Sequence, residues 1–336
     1  MGIDLPLIWA TIIVFGVMMY VFMDGFDLGI GMLFPFIPDR SERDAMVYTI
    51  APVWDGNETW LVLGGAALFA AFPLAYGLIL SALYLPLMLM LAGLIWRGVS
   101  FEFRFKAGEN RKAFWDFAFA SGSYVATFAQ GVALGAFING FQLDGSTFVG
   151  GALDCFTPFS IFTGIALMFT YTLLGATWLV MKTAGDLQVR MRKLAQRVSI
   201  ALLLAIIIVS IWTPLAHPEI ATRWFSLPNI IFFCPVPILV LLSTALQLYL
   251  LKRSIGNASP FCLSLILTFL GYTGLGISLW PNVIPPSISI WDAAAPTQSM
   301  AFALVGTLFI IPIIMVYTSW SYHVFRGKIE VGGGYE

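Results

Sequence analysis

The sequence is short of charge. Only 10% of its 336 residues are Asp, Glu, Lys or Arg, against roughly a quarter in a soluble domain. So little charge cannot cover a water-facing surface, so lipid must solvate most of the chain. The net charge of -1 excludes an electrostatic hold on nucleic acid. Histidine is nearly absent: only His217 and His323 occur. The three cysteines, Cys155, Cys234 and Cys262, show no CxxC spacing. They make neither a zinc site nor a disulfide framework, and read as small packing residues. No P-loop, Ser-His-Asp set or HExxH run is present.

What the chain has instead is apolar length. Hydrophobic residues make up 59%, and 29 Phe and 11 Trp bring aromatics to 15%. Rings in that number suit interface belts and packing against a large apolar partner. A hydrocarbon core of about 30 Å needs around 20 apolar residues per helix. Runs of that length predict nine spans: 7–34, 50–73, 77–96, 114–140, 158–181, 198–216, 229–251, 261–280 and 301–325. The second opens on a polar stretch and is rescued by Leu61 to Ala75. The run from Leu7 lacks a basic leader and a small-residue cleavage site, so it reads as a retained span. No polar loop is long enough to fold alone, so 1–336 is expected to be one all-α membrane domain. A tail at 326–336 contains Gly332, Gly333 and Gly334.

Loop charges alternate. Arg97, Arg104, Lys106, Arg111 and Lys112 follow the third span; Lys182, Arg190, Arg192, Lys193 and Arg197 follow the fifth. Lys252 and Arg253 follow the seventh, Arg326 and Lys328 the ninth. The loops at 141–157 and 281–300 have no Lys or Arg. The positive-inside rule then predicts an N-terminus outside and a C-terminus in the cytoplasm.

The chemistry-bearing residues sit at the cytoplasmic ends of the first three spans. Asp24 and Asp27, in DGFDLGIG, are three apart and share a helix face. Asp55 and Glu58, in WDGNETW, repeat that spacing. Carboxylates at this depth face a bundle interior or wet cavity, or hydrate at the interface. Acids in a first helical turn also suit the helix dipole. Four carboxyls and Asn57 gathered between Trp54 and Trp60 go further, because such a cluster can hold and pass protons. Arg97 lies at the same depth and can pair with Asp27 or Asp55, or serve as an ordinary basic anchor. The proline-rich run from Trp280 to Ala293 reads as a rigid cap on the outer side. His217 and His323 fall at opposite membrane faces and cannot share one haem. The chain is therefore expected to hold no haem and no redox centre of its own.

These motifs carry a resemblance. DGFDLGIGML (24–33), APVWDGNETWL (51–61), GAALFAAFP (65–73), RGVSFEFR (97–104), Trp291-Asp292-Ala293 and Tyr317-Thr318-Ser319-Trp320 resemble subunit II of cytochrome bd-type quinol oxidases, in order along nearly the whole chain. The length and the tight 217–228 connection look like the cyanide-insensitive branch. The resemblance implies a fold of two four-helix bundles plus one peripheral helix, with a first bundle over 7–140 and five helices over 158–325. It implies a heterodimer with a subunit I that carries haem b and haem d, or b-type haem alone, and it leaves open a small accessory subunit. The complex would be an electrogenic, non-pumping ubiquinol oxidase of aerobic respiration, oxidising quinol and reducing O2 with cytoplasmic protons. This chain would be its non-catalytic, haem-free member, set among membrane lipid. By motif, Asp55 is implied as a proton inlet, with Asp27 close by and Asp24 and Glu58 in the same path. Trp54, Asp55 and Arg97 match positions where some members hold a structural quinone. Two rivals stand beside this reading: a proton-coupled secondary transporter and a purely structural scaffold.

Overall fold

A computed structural model describes residues 3–329; the triple glycine at 332–334 lies outside them. Twelve α-helices follow in order: α1 (Leu5–Leu33), α2 (Arg40–Tyr48), α3 (Trp54–Ala71), α4 (Pro73–Lys106), α5 (Glu109–Asn139), α6 (Pro158–Lys182), α7 (Gly185–Ala216), α8 (Pro218–Phe225), α9 (Asn229–Phe233), α10 (Pro235–Arg253), α11 (Ser259–Leu279) and α12 (Thr297–Val324). At 1.5 Å per residue, the 29 residues of α1 reach about 43 Å, enough to cross a bilayer. Eight of the helices are long and apolar enough to be membrane spans. The predicted second span, α3, is not among them, because Trp54 to Trp60 lowers the apolarity of an 18-residue helix. It stands inside the bundle all the same, with its polar first turns against α1 and α4.

Helices α1, α3, α4 and α5 pack as one bundle, and α6, α7, α10 and α11 as a second. The peripheral α12 leans on α3 and α1, almost wholly exposed to the surroundings. The two bundles meet where α6 lies against α1 and α5. Lipid tails are as apolar as leucine, so helices associate here by close contact rather than by escape from water. Gly29 and Gly175 supply that contact. A Cβ on Gly29 would stand 1.8 Å from the Tyr171 carbonyl oxygen, and one on Gly175 would stand 2.6 Å from the Gly29 carbonyl carbon.

Several helices outrun their predicted spans. The loop at 182–197 is the first part of α7, and α4 continues ten residues past 96. Basic side chains hide a water-exposed helical extension from a hydropathy reading. α4 bends at Leu83 (φ -110°, ψ 15°), ahead of Pro86, whose ring clashes with the carbonyl a turn earlier. The segment 34–50 also folds, as the short α2, capped by Asp39 through the Ser41 and Glu42 amides. The compact 217–228 connection holds α8, and the next span starts as α9 before Pro235 opens α10.

At the far end, 281–295 makes a short hairpin (Asn282–Ile284 with Ile288–Ser289). Its Ile284, Ile288, Ile290 and Ala293 pack on Trp9, Phe72 and Leu78. The Ala295 amide donates to the Ala71 carbonyl at 2.8 Å, and the Trp9 indole to the Met300 carbonyl at 3.1 Å. The proline-rich run thus folds as a hairpin closing this end of the first bundle.

A buried carboxylate cluster in the first bundle

Arg97 is the centre of the site. α4 carries it into the first bundle, where it is 0% exposed. Gly93 and Gly122 bring α4 and α5 together beside it: a Cβ on Gly122 would fall 2.8 Å from the Arg97 amide. The guanidinium Nη1 lies 2.8 Å from Asp24 Oδ1 and 3.3 Å from Glu58 Oε1, and Nη2 lies 3.7 Å from Asp27 Oδ2. Asp24 and Asp27 are 0% exposed; the Glu58 side chain is 29% exposed. α1, α3 and α4 thus each contribute to one charged knot.

Three carboxyls share a single guanidinium. Were all of them ionised, the knot would hold two excess negative charges away from water, a costly arrangement. The hydrogen bonding of the knot is also incomplete within the chain: Asp24 Oδ2, Asp27 Oδ1 and Arg97 Nε have no protein partner. Buried polar atoms of this kind are normally met by water.

Neutral side chains extend the knot. Asn57 Nδ2 donates to Asp27 Oδ2 at 2.8 Å and to the Met23 carbonyl at 3.2 Å. The Tyr322 hydroxyl, from α12, donates to Asn57 Oδ1 at 2.9 Å. On the other side, Tyr20 stands one turn before Asp24 on α1. Its hydroxyl accepts from Gln130 Nε2 at 2.7 Å, and Gln130 Oε1 accepts from the Tyr171 hydroxyl at 3.0 Å.

Of the four carboxyls singled out in the sequence, Asp24, Asp27 and Glu58 come together. Asp55 does not join them; it is exposed on the first turn of α3. Residues three apart on a helix differ by about 60° in direction. Glu58 therefore turns in toward α4 while Asp55 stays at the rim. Arg97 accordingly pairs with Asp24 most closely, with Asp27 more loosely, and not with Asp55. The expected quinone trio also divides. Trp54 packs on Phe101, ring centroids 5.3 Å apart, and Asp55 is open. Arg97 faces inward to the carboxyls.

The sequence reading missed the tyrosines. Gln130 and Asp116 were visible as polar residues in an apolar run, but Tyr322 carried no signal. It also missed a second knot, nearer the basic loops. Arg104 (2% exposed) binds Asp116 Oδ1 and Asp44 Oδ1, each at 2.6 Å, and Arg43 binds Asp116 Oδ2 at 2.8 Å. Both guanidiniums lie over the Phe34 ring. This knot clamps α2 to the bundle.

The histidines lie at opposite ends of the molecule. His217 Nε2 is 3.3 Å from Asn139 Oδ1 and Nδ1 is 3.5 Å from Glu219, while His323 contacts Arg326. Among the described residues, no group of three or more His, Cys, Asp or Glu is placed to hold a metal ion.

Two bundles of long apolar helices around a buried carboxylate–arginine knot define an integral membrane protein rather than a soluble catalyst. The chain belongs to the cytochrome bd terminal oxidase subunit II family, whose model matches residues 5–325. It is 29% identical to the cytochrome bd-I ubiquinol oxidase subunit 2 of Escherichia coli, covering 97% of this chain and 95% of that protein. It is 29% identical to the cytochrome bd ubiquinol oxidase subunit 2 of Bacillus subtilis, covering 96% of each. A probable cytochrome oxidase subunit 2 of Haemophilus influenzae is 28% identical, over 97% of this chain and 95% of that protein. The fold matches a chain of the bd oxidase of Geobacillus thermodenitrificans with a TM-score of 0.76, at 18% identity, over 94% of this chain and 98% of that chain. The protein is therefore the second subunit of a bd-type terminal oxidase, an oxidoreductase complex of the bacterial inner membrane that also contains a subunit I. The transporter reading finds no support in these matches.

Proposed function

We propose that this chain is the haem-free, non-catalytic partner in a ubiquinol oxidase. It stabilises subunit I and leads cytoplasmic protons toward the site where O2 is reduced. The haems of subunit I, b with d or b-type alone, would supply the electron transfer and oxygen chemistry.

The observation that carries the reading is the buried Arg97 knot with its excess of carboxyls. Asp55 at the rim serves as the inlet. Glu58, one turn further in and still part exposed, passes protons to Asp24 and Asp27. The side from which they enter follows from the loops. Lys106, Lys182, Lys252 and Arg253 end α4, α6 and α10, and the Arg192 Nη2 bond to the Gly256 carbonyl (2.6 Å) joins the start of α7 to the segment after α10. That grouping supports a cytoplasmic face there, a cytoplasmic C-terminus and a periplasmic N-terminus. Quinol protons released on the other face would make the reaction electrogenic without a pump. A structural quinone would rest on the exposed side of Trp54, beside Asp55, with membrane lipid around it. Arg97 would then act on it only through the helix it belongs to.

The test uses the assembled oxidase. Asp55→Asn and Glu58→Gln should each slow quinol oxidation and proton uptake by roughly tenfold or more, the scale of losing a proton-transfer group, with haem content intact. Normal turnover and proton uptake in both variants would refute the path and leave the purely structural role.

A further inference from the structure

We infer that Tyr322 of the peripheral helix is a positioning residue for the proton path: through Asn57 it fixes the hydrogen bond that Asp27 receives. The inference rests on the proton-path reading above. Its geometry is a chain of three side chains from three helices: Tyr322 on α12, Asn57 on α3 and Asp27 on α1.

Asn57 is 1% exposed, so each of its polar atoms needs a protein partner. Its Nδ2 faces two acceptors, Asp27 Oδ2 and the Met23 carbonyl. That choice leaves Oδ1 pointing the other way, toward α12. Tyr322 supplies the one hydrogen bond that Oδ1 is given. A hydroxyl donating to an amide oxygen also polarises the amide and strengthens its N–H as a donor. Without the hydroxyl, Oδ1 becomes a buried acceptor with no donor, and the amide turns away from Asp27 to recover one.

The charged and titratable groups facing Asp27 are Arg97 from α4, Asp24 from its own helix, Glu58 from α3 and Tyr322 itself. A donor to a carboxylate favours its ionised form. Weakening the Asn57 bond therefore changes how firmly Asp27 holds its proton. The ring of Tyr322 has a separate task. It packs edge-on against Phe26 and Trp178, centroids 6.5 and 6.0 Å apart, so Tyr322→Phe removes the hydroxyl and keeps the packing.

The experiment measures turnover against pH in the assembled oxidase, together with the infrared carboxyl band of the protonated acid. Wild type, Tyr322→Phe, Asn57→Ala, the double variant and Asp27→Asn are compared at equal haem content. Tyr322→Phe should displace the limb of the profile set by Asp27 by about half a pH unit, the scale of one weakened hydrogen bond, and should shift the carboxyl band. In the Asn57→Ala background it should add nothing. An unmoved profile and band in Tyr322→Phe, while Asp27→Asn slows turnover, overturns the positioning role and leaves the path standing. Normal turnover in Asp27→Asn removes Asp27 from the path, and this inference with it. If Tyr322→Phe fails to assemble, Asn57→Ala decides: an unshifted band there overturns the inference equally.

Discussion

Arg97 is held by carboxyls from two other helices. It is fully buried and faces three of them. Removing one partner from a buried charged set commonly costs about 3–5 kcal/mol, because the remaining charges stay buried without compensation. Arg97→Leu should therefore lower the melting temperature of the purified complex sharply or prevent its assembly. Arg97→Lys should recover part of the loss. A lysine keeps the charge but lacks the planar fork that lets one side chain reach Asp24, Asp27 and Glu58 together. Comparable melting temperatures for Arg97→Leu and the parent would contradict the charged knot. The residue types of this site were legible: carboxyls and one arginine inside apolar runs have few innocent readings. Which carboxyl Arg97 meets was not legible, because a difference of about 60° around α3 decides it.

Among the elements, α6 joins the two bundles by lying against α1 and α5, and its approach to α1 is closest at one pair of glycines. The two backbones touch at Gly29 and Gly175, with no room for a methyl group on either side. Gly29→Ala should force the helices apart, and the complex should lose thermal stability and haem during purification. Gly271→Ala is the matched control, since a Cβ there meets nothing within 4 Å and alanine favours helix by about 1 kcal/mol. Equal stability of the two variants would show that the α1–α6 approach does not hold the bundles. Element length was the less legible part. Apolar runs locate the nine long helices, but α4 and α7 extend through charged residues, where hydropathy falls while the helix continues. α2 was hidden for the opposite reason. It is a nine-residue polar helix, formed by the Asp39 cap and held by the Arg43, Arg104, Asp116 and Asp44 knot.

Across the whole molecule, the C-terminal segment ties the peripheral helix to the second bundle. The Lys182 Nζ donates to the carbonyl oxygens of Phe325 and Gly327, the Ile329 amide to the Lys182 carbonyl, and Lys328 Nζ to the Thr183 carbonyl. Lys182 also lies 5.2 Å from the Trp178 ring centroid. Together with the Trp9–Met300 bond and its packing on α1 and α3, this clasp and the Tyr322–Asn57 bond hold α12 in place. Lys182→Met should free the segment after Val324. Limited proteolysis of the complex should then cut there severalfold faster than in the parent, while α6 stays protected. Unchanged cleavage would assign the position of α12 to its contacts with α3 and α1 alone.

By itself the sequence determined the solvent, the order of the long helices, the gathering of acids on the first and second predicted spans, and the family motifs. Each follows from composition or from a short local pattern, and lipid enforces such patterns strictly because unpaired backbone and charge are so costly there. The tertiary structure decided which acids share Arg97 and which one remains at the rim. It also decided that a tyrosine from the last helix closes a hydrogen-bond chain to the first. Those facts depend on how helices far apart in sequence are rotated against one another, and rotation leaves no mark in a linear order of residues.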